Sequence, residues 1–139
     1  MFIDSKKLVK KAIEARKFSY APYSGFCVGA ALLTTEGEIF TGCNIESASY
    51  SPTNCAERTA VFKAVSEGKH DFIAIAIIGG MGHEGKTENY TAPCGVCRQV
   101  LAEFNNGSMK IILAKDENDF KEYTLAELLP LSFTPNSLV

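Results

Sequence analysis

Two short stretches of the chain place cysteine and glutamate side chains in a pattern that suits a metal ion. Cys55 is followed two residues later by Glu57, and Cys94 and Cys97 lie three residues apart. Each stretch comes where a helix is expected to begin, and residues three apart on a helix share one face. The start of a helix carries partial positive charge, which lowers the pKa of a cysteine there. The pattern therefore predicts that two helix starts present three sulfur ligands to one ion.

Three sulfur ligands are typical of a catalytic zinc site. Zinc binds four ligands and favours sulfur, so three protein ligands leave one position for water, whereas four protein ligands make a closed structural site. Beside an open position, the carboxylate of Glu57 can take a proton from the water and deliver it to a substrate. We predict one zinc ion per subunit, held by Cys55, Cys94 and Cys97.

Three thiolates around a divalent ion leave the site with a net negative charge, which weakens zinc as a Lewis acid. Arg58 follows Glu57 directly in the sequence. Its guanidinium carries several hydrogen-bond donors and no acceptor. We therefore expect Arg58 to offset the thiolate charge by donating hydrogen bonds to the sulfurs.

Apolar periodicity and turn residues predict the elements that position these ligands. The helices are expected at residues 4–19, 55–67 and 94–104, with a helical turn at 125–129, and the strands at 26–33, 38–42, 72–78 and 109–114, with a short edge strand at 123–124. Residues 79–92 read as a long, glycine-rich loop. Strand–helix–strand units with short connections are typical of α/β proteins. We expect a layered α/β sheet in a single domain, residues 1–139.

Composition narrows the functional classes. The chain has 139 residues, 14 of them basic and 16 acidic, so it offers no basic surface for a nucleic acid. The longest apolar run, residues 72–78, falls far short of the roughly 20 residues of a membrane span. The first residues lack the apolar segment of a signal peptide. Five cysteines, an odd number, favour metal binding in a reducing compartment over disulfides. We expect a cytoplasmic protein without nucleic-acid or membrane partners.

Several stretches in sequence order resemble a known family. The pattern Cys-Ala-Glu followed by Pro-Cys-x-x-Cys is similar to that of the zinc-dependent nucleoside and nucleotide deaminases. Nearly the whole chain resembles the small, homotetrameric cytidine deaminases within that group. The matching stretches are Tyr20-Ala21-Pro22-Tyr23-Ser24, residues 26–32, residues 42–46, Tyr50-Ser51, residues 55–60, residues 94–101 and residues 127–130 with Phe133. The resemblance implies a three-layer α/β/α sandwich around a mixed five-stranded sheet, and hydrolytic deamination of cytidine and deoxycytidine in pyrimidine salvage.

The resemblance also implies how the substrate is bound. Phe26 would stack on the pyrimidine, and an aromatic face suits a flat base. Asn44 and Glu46 would bind a ribose hydroxyl, which needs both a donor and an acceptor. The backbone of Ala56, together with Glu57, would read the edge of the base.

Four further residues would act around or between subunits if the resemblance holds. Tyr50 would reach the site of a neighbouring subunit, and Phe133 would close a site across an interface. Arg58 and Gln99 would lie next to the zinc ligands and support the thiolates without binding the metal. A homotetramer with shared active sites is therefore implied, with a small nucleoside as its partner.

Without the resemblance, simpler interpretations of these residues stay open. The three cysteines can be buried thiols, since free cysteine is often buried, and Glu57 can merely favour the start of a helix. Phe26 can belong to the core, while Asn44 and Glu46 can serve a turn or a solvated loop. Cys27, Cys43, His70 and His83 fall outside the motifs, and Arg98 reads as an ordinary surface or salt-bridge residue.

Rival functions also stay open. The nearest is a related aminonucleoside deaminase of the blasticidin type. A deaminase that acts on nucleic acids is disfavoured because the chain has no basic surplus to bind phosphates. One that acts on nucleoside monophosphates is disfavoured because no arginine or lysine lies near Asn44 and Glu46 in the sequence, and Glu46 would repel a phosphate. A structural zinc module is the alternative of a different class, and it would need a fourth protein ligand such as His70 or His83.

Overall fold

Four α-helices and five strands make up the fold in a computed structural model that describes residues 2–139 and leaves Met1, the first residue of the expected domain, outside. The elements are α1 (Ser5–Arg16), β1 (Phe26–Thr34), β2 (Ile39–Cys43), α2 (Ala56–Ser66), β3 (Phe72–Met81), α3 (Gly95–Glu103), β4 (Lys110–Ala114), β5 (Phe120–Thr124) and α4 (Leu125–Leu128), followed by a 3₁₀ turn at Pro135–Leu138. Among these residues, no helix has both the length and the apolar character to span a bilayer.

The strands form one mixed sheet in the order β2-β1-β3-β4-β5. β1 runs antiparallel to β2 and β3, β3 and β4 are parallel, and β5 returns antiparallel to β4. The parallel pair needs a crossover, which α3 supplies. The mixed five-stranded sheet implied by the resemblance is confirmed.

Helices cover both faces of the sheet. One face packs on α1 and the other on α2 and α3. Successive residues of a strand point to opposite faces, so Ala74 and Ala76 of β3 contact the α1 side while Ile75 and Ile77 contact the other side. All four are fully buried, as expected for a central strand covered on both faces. The three-layer α/β/α sandwich follows from this packing.

Glycine in β2 lets α2 lie very close to the sheet. A Cβ atom added at Gly42 would stand 2.5 Å from the carbonyl oxygen of Ala56 and 2.6 Å from the backbone nitrogen of Ala60. Contacts this short force backbone to move. Gly42 thus fixes the position of the first turn of α2, which directly follows Cys55.

The structure differs from the sequence prediction at three element ends. α1 ends at Arg16 rather than near Ser19, because the chain turns so that the Tyr20 N–H can donate to the carbonyl of Asn44, 3.0 Å away. β3 continues through two glycines to Met81, which pairs with Phe26 of β1. β5 begins at Phe120 because its whole length pairs with β4.

Candidate active site

The three predicted ligand cysteines converge at the starts of α2 and α3. Cys55 and Cys94 are the N-cap residues of these helices, and Cys97 lies in the first turn of α3. Their three sulfur atoms all lie within 4.8 Å of one another. The Cys55–Cys94 and Cys94–Cys97 sulfur distances are 3.9 and 3.4 Å. Tetrahedral zinc with sulfur bonds of about 2.3 Å holds its sulfurs about 3.8 Å apart, so this donor set fits a zinc ion.

A cation already lies against this sulfur cluster. Nη2 of Arg58 donates to Sγ of Cys55 over 3.2 Å. The pKa of Cys55 is lowered to about 5, first by a hydrogen bond from Cys97 and then, against the effect of burial, by Arg58. The pKa of Cys97 is raised, because its thiol shares that hydrogen bond and is buried. The thiolate form is therefore favoured at Cys55 even before a metal binds.

Glu57 lies in the first turn of α2 beside the sulfurs, and its side chain is only 4% exposed. Burial raises its pKa to about 7, and the negative charge of Cys55 adds to the rise. A carboxyl group with a pKa near 7 can both accept and donate a proton at neutral pH. This environment is unlike that of a carboxylate that merely favours a helix start in solvent.

Asn44 is buried next to the start of β1. Its Nδ2 donates to the carbonyl of Phe26 over 2.7 Å, and its Oδ1 accepts from the Val28 N–H over 2.9 Å. An amide has two donor hydrogens and two acceptor lone pairs, so one of each stays available. The side chain that was predicted to bind a sugar therefore also holds the strand that carries Phe26, whose ring is 38% exposed.

Glu46 faces the loop before β1. Its Oε1 accepts from the backbone N–H groups of Tyr23 and Ser24, over 3.0 and 3.1 Å. The Ser24 hydroxyl donates to Oε2. The pKa of Glu46 is lowered, first by the Ser24 hydroxyl and then by these N–H groups. The carboxylate is thus held ionised and fixed in direction.

Gln99 lies elsewhere than the resemblance implied. Its Nε2 donates to the carbonyl of Phe133 over 2.8 Å, so its polar end contacts the C-terminal segment instead of a thiolate. The physical reason is its place on α3: it is exposed, whereas Cys97 faces the interior. Gln99 therefore anchors the segment that carries Phe133.

Arg98 was expected to be an ordinary surface residue, and the structure corrects this. Its Nε donates to the carbonyl of Pro93 over 2.8 Å, and its Nη1 donates to the carbonyl of Leu128 over 2.6 Å. Pro93 directly precedes Cys94. Arg98 thus connects the residue before the ligand Cys94 to the end of α4. In the sequence, only its position directly after Cys97 indicated such a role.

Tyr50 and Phe133 are the two remaining residues that the resemblance assigned to the site, and both are exposed aromatic residues. Tyr50 is 72% exposed and has a positive φ of 60°. Its ring meets that of Tyr23 edge to face, with centroids 6.3 Å apart. Phe133 is 59% exposed. Neither ring is enclosed by this chain.

Comparisons with known proteins agree with this geometry. The model of the cytidine and deoxycytidylate deaminase zinc-binding region matches residues 3–114. Cytidine deaminase from Sporosarcina psychrophila is 50% identical over 98% of this chain and 96% of its own length. The enzyme of that name from Halalkalibacterium halodurans is 48% identical over 98% of both chains.

Solved structures and a more distant relative extend the comparison. The crystal structure of cytidine deaminase from Burkholderia pseudomallei superposes with a TM-score of 0.84 at 42% identity, covering 94% of this chain and 100% of that chain. Blasticidin-S deaminase from Bacillus cereus is 32% identical over 78% of each chain. With its family match, its full-length relatives and its three-cysteine zinc site, this chain belongs to the cytidine and deoxycytidylate deaminase family of zinc-dependent hydrolases.

Proposed function

We propose that this protein hydrolyses cytidine and deoxycytidine to uridine and deoxyuridine, with release of ammonia. The observation that carries the proposal is the convergence of three sulfurs beside a buried glutamate with a pKa near 7. Half of the residues are identical to those of a relative named cytidine deaminase over almost the full chain. We further propose that residues 1–139 form one catalytic domain.

The catalytic groups act at the amino-bearing carbon of the base. Cys55, Cys94 and Cys97 would hold a zinc ion, and zinc would supply the nucleophile by lowering the pKa of water to about 7. Glu57 takes one proton from the attacking water on a carboxylate oxygen and delivers it to the adjacent ring nitrogen. It then carries the second proton of that water to the amine, which departs as ammonia. Water adds and ammonia leaves, so no oxidant or second substrate is needed. Arg58 balances the thiolate charge through its contact with Cys55.

Substrate binding is assigned to the groups around this centre. Phe26 stacks on the pyrimidine, and its partly exposed ring supports this role. Asn44 offers its remaining N–H and lone pair to a ribose hydroxyl, and Glu46 offers a fixed carboxylate. The backbone at Ala56, directly after Cys55, hydrogen-bonds the edge of the base together with Glu57.

We propose a homotetramer in which neighbouring subunits complete each active site, with one zinc ion per subunit. The exposed rings of Tyr50 and Phe133 support this, since both are large apolar side chains that this chain leaves uncovered. Gln99 contributes by holding the Phe133 backbone. Light scattering in solution would report four chain masses if the proposal holds and one if it fails.

The cellular setting is proposed from the same features. All five cysteines are free thiols, as expected in a reducing compartment, so we place the protein in the cytoplasm. There a nucleoside deaminase serves pyrimidine salvage. The near-balanced charge of the sequence supports a small nucleoside as the partner, without a nucleic acid or a membrane.

A structural zinc module is less well supported than the enzyme. Within residues 2–139, the group of side chains that can hold a metal consists of the three cysteines alone. His70 stacks against Phe104, and Nε2 of His83 lies 3.4 Å from Sγ of Cys27. Neither histidine joins the cluster, so these three cysteines would leave a bound zinc ion open to water.

A substrate panel of cytidine, deoxycytidine, cytidine monophosphate and blasticidin S tests the specificity. We expect turnover of both nucleosides, with kcat/KM for the monophosphate at least about 100-fold lower, because Glu46 is an anion and facing like charges cost several kcal/mol. Glu46→Gln should narrow that gap by removing the charge. Preferred turnover of blasticidin S, or equal turnover of the monophosphate, would contradict this assignment.

A further inference from the structure

Ser24 links the side chain assigned to the base with the side chain assigned to the sugar. Its Oγ accepts a hydrogen bond from the Phe26 N–H over 3.0 Å and donates its own hydrogen to Oε2 of Glu46. Gly25, between them, has a φ of 71°. This left-handed conformation, which glycine adopts readily, belongs to the turn that brings the hydroxyl back to the start of β1. One hydroxyl group therefore bonds to both substrate-facing parts.

The hydrogen bonds of Glu46 leave little of its carboxylate free. A carboxylate has about four acceptor positions, two on each oxygen. The N–H groups of Tyr23 and Ser24 fill both positions on Oε1. The Ser24 hydroxyl fills one of the two on Oε2. A single acceptor position on Oε2 is left, and Ser24 determines the direction in which it points.

We propose that Ser24 is a positioning residue that aims the last acceptor of Glu46 at a secondary hydroxyl of the nucleoside sugar. This inference rests on the proposed function, since it takes the sugar as the group that Glu46 binds. Ser24 itself touches no substrate and acts through Glu46, while the hydrogen bond from the Phe26 N–H holds the Ser24 hydroxyl in place. A site of this kind selects a ligand with a free hydroxyl donor at that position.

The contacts around Glu46 explain why the hydroxyl of Ser24 matters. The carboxylate is only partly covered by the protein, so water competes for every bond that is not made by a fixed donor. Without the hydroxyl, Oε2 has two open positions and the Phe26 N–H loses its partner. Glu46 can then rotate about its two remaining hydrogen bonds from N–H groups. Binding of the sugar must then immobilise a carboxylate oxygen that the Ser24 hydroxyl holds in place in the parent protein.

Ser24→Ala tests the proposal with cytidine and 2′,3′-dideoxycytidine as paired substrates. We expect KM for cytidine to rise about tenfold, the effect of losing one hydrogen bond to a charged group, with kcat changed less than about twofold. The dideoxy substrate lacks both secondary hydroxyls, so its KM should hardly change. Ser24→Thr, which keeps the hydroxyl, should restore most of the loss. Ser108→Ala, which removes an exposed hydroxyl that bonds to Asn106, is the matched control.

A second variant separates this role from a structural one. In a Glu46→Ala background, adding Ser24→Ala should cost cytidine no further affinity, because the group that Ser24 aims is gone. An equal loss for cytidine and dideoxycytidine, or additive losses in the double variant, would overturn the proposal. Parent protein that does not deaminate cytidine would instead refute the proposed function, so the two failures are distinguishable.

Discussion

Glu57→Gln should retain its zinc ion and lose cytidine turnover by about a thousandfold or more. Glutamine fills the same buried space but cannot accept or donate a proton at neutral pH, and general acid–base catalysis contributes about 10²–10⁴-fold in rate. Because Glu57 acts in two successive proton transfers, we expect the loss of rate to lie at the upper end of this range. The decrease in cytidine absorbance gives kcat, and atomic absorption gives the zinc content of the same sample.

The control for this variant lies at the other end of the same helix. Glu67 is exposed and caps the C-terminus of α2, so Glu67→Gln should keep both zinc and turnover. If Glu57→Gln kept more than a tenth of the parent kcat with zinc bound, the proton transfer would have to be assigned to another group.

Cys97→Ala should abolish zinc binding and, with it, all measurable deamination. Cys97 is fully buried and supplies one of the three sulfurs that make up the metal-binding group. The two thiolates that remain, Cys55 and Cys94, do not make the three-ligand set of a catalytic zinc. Because a ligand that binds only the folded state stabilises it, the variant should also melt at a lower temperature than the zinc-loaded parent.

Removal of zinc with a chelator provides a control for the prediction on Cys97→Ala. The melting temperature of the parent should fall when zinc is removed, whereas that of Cys97→Ala should not respond. Cys43→Ala alters a thiol on β2 that lies outside the metal cluster, and it should behave like the parent in both assays. A Cys97→Ala protein that still held one zinc ion per chain would show that the ligand set is different.

The parts of the site that the sequence predicts well are those set by local structure. Cys55, Cys94 and Cys97 were expected at two helix starts, and the structure has them there, because N-cap position and helical spacing depend on a few neighbouring residues. The layers of the fold follow from alternation in strands such as β3 for the same reason. Local sequence patterns are therefore enough to predict the metal centre.

The parts that the sequence does not predict depend on residues far apart in the chain. Gln99 contacts Phe133, which is 34 residues away, and Glu46 bonds to Ser24, which is 22 residues away. No periodicity relates such pairs, since the folded sheet alone brings them together. The glycines at the end of β3 signal a loop locally, but pairing with β1 keeps them extended. Substrate positioning is for this reason less visible in the sequence than metal binding.

Zinc-dependent deamination can be tested by measuring the products that protein loaded with one zinc ion per chain forms from cytidine. The expected result is one uridine and one ammonia for each cytidine consumed, with activity lost on chelation and restored by added zinc. Folded, zinc-loaded protein that leaves both cytidine and deoxycytidine unchanged would contradict it.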